Sequence, residues 1–131
     1  MPEQTSVWKF LRIAAGLQTA GIFFQAVTAG MLLSSEYGEV LHGAGARGMY
    51  AASMLYVLGA VLVWRPGGGP VRPVLYAVGM LVLASVQVVL GIAHMAALHV
   101  PLGVLMFGLS LLQLGHAVLG GRLRAPAAGA A

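Results

Sequence analysis

Four apolar runs, separated only by short polar or breaker-rich segments, leave this chain few ways to fold. They cover approximately residues 7–33, 41–64, 74–94 and 98–119 of 131. Each holds roughly 20 residues or more, which as a helix rising 1.5 Å per residue crosses a hydrocarbon core of about 30 Å. The chain is 60% hydrophobic and only 8% charged, where a soluble domain would carry about 25% charged residues. The spacing and composition together predict an all-α integral membrane protein. Four spans joined by short turns predict a single domain, 1–131, folded as an up-down-up-down four-helix bundle.

The segments between the runs complete this reading. Residues 1–6 are polar and expected to be frayed, with Thr5 or Ser6 capping the first helix. A basic start before an apolar run also resembles a signal peptide, but the run is too long and lacks a small-residue cleavage site. Residues 34–40 form a polar turn holding Glu36 and Glu39, two of the three acids. Residues 65–73, with three glycines and three prolines, cannot continue a helix. Residues 124–131 contain only Ala, Pro and Gly after Arg124 and are expected to be disordered.

The net charge of +4 comes from few basic residues, placed at the ends of apolar runs. That placement sets topology and argues against nucleic-acid binding. Lys9, Arg12, Arg65, Arg72, Arg122 and Arg124 fall on one side and Arg47 near the other. The positive-inside rule then predicts a multi-pass protein with both termini cytoplasmic. The turns at 34–40 and 94–99 would face outward.

Residues 41–65 repeat, without a gap, at 98–122. Leu41, His42, Met49, Ser53, Leu55, Ala60, Val61, Leu62 and Arg65 recur as Leu98, His99, Met106, Ser110, Leu112, Ala117, Val118, Leu119 and Arg122. The match reads as an internal duplication. It extends weakly upstream, where Gln25-Ala-Val resembles Gln87-Val-Val. Each repeat holds two spans, so the copies enter the membrane in the same direction and a two-fold axis along the membrane normal relates them.

Each copy opens on a histidine. In the expected bundle the second and fourth helices stand on a diagonal, so His42 and His99 face each other at equal depth near the outer surface. Below them run Ala46, Met49 and Ser53 on one helix and Gly103, Met106 and Ser110 on the other, at i+4, i+7 and i+11. The small residues Ala46 and Gly103 would leave room for a flat ligand, and Met49 and Met106 would form a polarizable floor or serve as core filling. Polar side chains within spans usually face the interior with a partner. Two opposed neutral imidazoles suit axial ligation of iron in one non-covalent haem b. With no cysteine, disulfides, thiolate metal sites and thioether attachment of haem are excluded. Both axial positions being taken, electron transfer follows more naturally than oxygen chemistry. The plainer alternative is a pair of interfacial histidines bonded to headgroups or to the preceding turn.

The remaining polar residues take supporting places. His94 is expected in the outer turn, near a propionate or a quinone headgroup. His116 lies about 25 Å along the helix from His99, and its counterpart in the first copy is Gly59, so no second haem pair exists. Arg47 needs an anionic partner, a haem propionate or Glu36 or Glu39. Gln25 and Gln87 would bond across helices or orient the imidazoles.

These residues resemble a known family. Glu39-Val-Leu-His42 opening the second helix, V-Q-V-V-L-G (86–91) in the third and Ala97-Leu-His99 opening the fourth look like one four-helix half of haem A synthase. Small four-helix bacterial membrane proteins share the layout. The resemblance covers nearly the whole chain and implies axial ligands at His42 and His99, a counterpart of the family's acid at Glu39, and a bacterial cytoplasmic membrane. A homodimer would restore that family's eight helices.

The leading expectation is therefore a membrane cytochrome b that passes electrons in a respiratory system. A second is a haem-free accessory subunit packed against a larger membrane complex, suggested by the many small residues and the scarcity of extramembrane mass. A third is an enzyme acting on haem or quinone through His94 or Glu39, for which no catalytic residue is singled out.

Overall fold

The computed structural model describes residues 2–122, with side chains described from Thr5 to Leu119. The segment expected to be disordered, 124–131, lies outside the described residues. Four helices follow in order: α1 (Pro2–Met31), α2 (Gly38–Trp64), α3 (Arg72–Ile92) and α4 (Ala96–Arg122). All four contain stretches long and apolar enough to cross a membrane: 27, 27, 21 and 24 residues. Large apolar side chains cover the outside, among them Leu33, Ile92 and Val104. That is the surface of a multi-pass membrane protein, whose outward faces meet lipid instead of water.

Helix α1 packs against α2 and α4, and α3 packs against the same two. Among the described residues no Cα of α1 lies within 8 Å of one in α3, nor any of α2 within 8 Å of one in α4, so these pairs stand on diagonals. The closest seam lies between α1 and α2. A Cβ at Gly59 would come within 3.2 Å of the Leu11 backbone, and one at Gly21 within 3.2 Å of the Met49 backbone. Small residues permit such approach, which supplies the van der Waals contact that holds membrane helices together.

The interior is layered. One apolar cluster contains Leu11, Ala14, Ala15, Tyr56, Ala60, Val63 and Ala77, and a second contains Ile22, Met49, Met80, Ala84 and Met106. Buried polar bonds run through the middle of the bundle. Gln18 Nε2 donates to Ser53 Oγ at 2.9 Å, and Ser53 donates to the Met49 carbonyl at 3.0 Å. Thr19 lies near two carbonyls, Ala15 at 3.0 Å and Ser110 of α4 at 3.3 Å.

The helix ends depart from the sequence reading in ways the backbone explains. The expected frayed start is helical from Pro2, so Thr5 and Ser6 lie inside α1 and neither is its cap. Gly38 begins α2 against the Met31 carbonyl, where a Cβ would collide at 2.5 Å. The 65–71 loop folds back on α2. Gly67 N–H donates to the Leu62 carbonyl at 3.1 Å and Gly69 N–H to the Val63 carbonyl at 2.8 Å, satisfying carbonyls that a helix end leaves open.

Helix α3 stops at Ile92, short of His94. The Met95 N–H reaches the Leu90 carbonyl at 3.0 Å and the His94 N–H reaches the Gly91 carbonyl at 3.1 Å, the paired bonds of a Schellman cap. His94 holds the left-handed position of that cap, with φ 54°, where glycine is usual.

Candidate functional site

His42 lies in the first turns of α2 and His99 in the first turn of α4. Although the Cα atoms of these helices stay more than 8 Å apart, the two rings meet. Their centroids are 6.2 Å apart and their planes cross at 63°. Both residues are partly buried.

Each ring is oriented by a neighbouring helix. Thr28 of α1, fully buried, places its hydroxyl oxygen 3.0 Å from His42 Nδ1. The same hydroxyl donates to the Phe24 carbonyl at 3.0 Å or the Gln25 carbonyl at 3.2 Å. With that proton on either carbonyl, the hydroxyl oxygen is free to accept from His42, whose Nδ1 then carries the hydrogen. His99 Nδ1 lies 3.0 Å from the backbone carbonyl of Gln87 in α3. A carbonyl only accepts, so His99 Nδ1 is also the protonated nitrogen. The carbonyl fixes His99 with its lone pair on Nε2, and a Thr28 hydroxyl bonded to its own helix gives His42 the same tautomer. Among the described residues neither Nε2 has a protein partner.

Two further contacts set this geometry. Gln25 Nε2 donates to the His42 carbonyl at 3.1 Å, which ties α1 to the opening turn of α2. Gly91 lies beside the His99 ring, where a Cβ would stand 3.4 Å from Cε1. The Gln87 side chain is less settled, because its Oε1 is buried without a hydrogen-bond partner.

The other residues singled out from the sequence fall in different places. The space expected beneath each histidine is not an open slot. A Cβ at Gly103 would come within 3.0 Å of Gln87 Nε2, and on the other side Gly45, not Ala46, is the residue pressed against Gln25. Met49 and Met106 are buried and join Met80, Ile22 and Ala84 in the core. They close the bundle about two helical turns below the rings. Ala46 instead lines a lateral groove of about 650 Å³ between α2 and α3, shared with Arg47, Tyr50 and Ser85. Arg47 is exposed there and, among the described residues, makes no ion pair with Glu36 or Glu39. Phe107, which aligns with Tyr50 in the first copy, packs on Phe23 with ring centroids 5.8 Å apart and planes tilted by 37°.

His94 occupies the expected turn, but its place is explained by the α3 cap and its side chain is exposed. His116 lies far along α4 and is bonded through Nδ1 to the Leu112 carbonyl at 2.8 Å. Among the described residues no group of three or more His, Cys, Asp or Glu side chains could hold a metal by itself.

Sequence reasoning missed Thr28, the residue that orients His42. A threonine within an apolar run is weak evidence, because its hydroxyl can bond back to its own helix. Its seat one helical turn from Gln25 was the available signal. Compared with known proteins, the chain matches no family model, and neither a curated protein nor a solved structure resembles it significantly.

Proposed function

We propose that the chain is a membrane cytochrome b in which His42 and His99 hold the iron of one haem b through Nε2. The observation that carries this reading is the pair itself. Metal–imidazole bonds are about 2 Å long, so two rings sharing one metal ion stand about 6 Å apart, centre to centre. The rings here stand 6.2 Å apart, and each Nδ1–H is engaged by α1 or α3. Ligating histidines are usually oriented in this way, with the second nitrogen held by a carbonyl, hydroxyl or carboxylate.

The donor set favours haem over a bare ion. Two nitrogens alone do not complete a zinc or iron shell, whereas a macrocycle brings its own equatorial nitrogens and needs only axial ligands. The haem would supply a one-electron redox couple. This chain's residues would hold it in place, fix the ligand tautomers and exclude a third axial partner. Its placement at the end of the bundle follows from the methionine layer that closes the interior below. Arg47 is the cation within reach of that end for a propionate.

The same reading includes an up-down-up-down bundle built from a duplicated helix pair, the likeness to half of haem A synthase, and insertion in a bacterial cytoplasmic membrane with cytoplasmic termini. Electron exchange with a respiratory partner follows from the chemistry of a site with both axial positions filled.

The test is a reduced-minus-oxidised spectrum of the purified chain. Sharp low-spin bands are expected, and His42→Ala or His99→Ala should abolish them while the helical content is kept. A folded but colourless preparation from haem-replete cells would sink the proposal. A haem-free accessory subunit is the second reading, and the sparse burial of α3 and α4 favours it. It calls for pigment-free copurification with larger subunits in fixed ratio.

A further inference from the structure

At the opposite end of the bundle from the histidines lies a second cavity, of about 300 Å³, reached by all four helices. Trp8 of α1, Tyr56 of α2, Arg72 and Tyr76 of α3, and Gln113 and His116 of α4 line it. The register that pairs His42 with His99 also pairs Tyr56 with Gln113. Both lie fourteen residues beyond their histidine, close to four helical turns and hence on the same inward face. The stripe that brings the histidines together at one end brings a phenol and an amide together at the other.

The polar groups here are arranged for a ligand. Tyr56 is 2% exposed and lines this cavity. Gln113 Nε2 donates to the Tyr76 carbonyl at 3.4 Å, while its Oε1 is buried and unpaired. A buried amide oxygen without a partner costs about 1–3 kcal/mol, and few such groups persist in a native interior without a reason. The His116 ring, its Nδ1 engaged by its own helix, presents Nε2 as a further acceptor and lies 6.3 Å from the Tyr76 ring. The walls are thus aromatic, with one hydroxyl able to donate and two unpaired acceptors.

We propose that this cavity binds a single hydroxylated aromatic ring, of the class of the hydroquinones. Its hydroxyl hydrogens would reach Gln113 Oε1 and His116 Nε2, and one ring oxygen would accept from Tyr56. The volume lies at the low end for small-molecule sites, which suits one ring and excludes a macrocycle. Tyr76 and His116 are themselves exposed, so the cavity opens on the outside of the bundle, where an apolar tail would extend into lipid. Along α2 the site is about 21 Å from His42, so it is separate from the haem site.

The test is calorimetric titration of the full chain, in nanodiscs of phosphatidylcholine, with trimethylhydroquinone as the probe. Saturable binding at one site per chain is expected, weakened about tenfold by Tyr56→Phe and about tenfold by Gln113→Leu. Tyr56→Phe keeps the packed ring and so tests the hydroxyl without opening the core. Three results would overturn the proposal: no saturable heat, the same affinity in Tyr56→Phe as in the unmodified chain, or binding lost in Arg72→Gln but kept in Tyr56→Phe. The last would mark an anion site. The readout involves no haem, so its failure is distinct from failure of the cytochrome reading.

Discussion

Thr28 and Gln87 decide which nitrogen each histidine offers, and they do so by different means. A side-chain hydroxyl accepts from His42 and a backbone carbonyl accepts from His99. Only the first can be removed by substitution. Thr28→Val, which keeps the shape and deletes the acceptor, should lower haem affinity about 10- to 100-fold, read by haem titration of the apoprotein at the Soret band. Thr28→Ser should retain it; equal affinity for the valine variant would show that the bond does not orient the ring. The mid-bundle pair allows a second prediction. Ser53→Ala leaves the buried Gln18 amide without its acceptor and should destabilise by about 0.6–1.7 kcal/mol. Adding Gln18→Leu should recover most of that, because two apolar groups leave nothing unpaired. A double-mutant cycle of unfolding in mixed micelles measures the coupling, and strictly additive losses would contradict it.

The helices differ in what holds them at their ends and along their seams. His94 caps α3 in the left-handed region, a conformation that costs an L-residue about 1–2 kcal/mol. His94→Gly should therefore leave the melting temperature unchanged or raised, and haem content intact. A clear loss of haem in that variant would give His94 the functional place its backbone does not require. The α1–α2 seam predicts the opposite sign. Gly59→Val puts a Cβ within 3.2 Å of the Leu11 Cα and adds two methyl groups at that seam, an overpacking cost of about 1–3 kcal/mol, visible as a lowered melting temperature. The helices themselves were legible from apolar run length, but their ends were not. The α3 terminus lies at Ile92 because a Schellman cap closes there.

For the whole molecule, the proposed topology places residues 34–40 and 94–99 on one side of the membrane and residues 65–71 on the other. The chain has no cysteine, so single introduced thiols report position without background. Ser35→Cys and Met95→Cys should react in intact cells with an impermeant maleimide, and Gly68→Cys only after the membrane is opened. Labelling of all three from outside would rule out the proposed insertion. Reading the repeat led to the expectation that the two histidines face each other, and the rings do approach across the diagonal. It could not show that Gln87 fills the space beside Gly103 or that Ala46 turns toward a lateral groove, since both depend on the rotation of one helix against another. Run length and hydropathy are properties of each segment alone, so the chain's order of residues determined by itself that there would be four lipid-length helices with a histidine opening two of them. Which ring nitrogen is free, and that a phenol and an unpaired amide oxygen share a cavity at the far end, were decided only in the assembled bundle. There the partners of Gln18, Gln25, His42 and His99 come from a different helix, and interhelical packing sets the register.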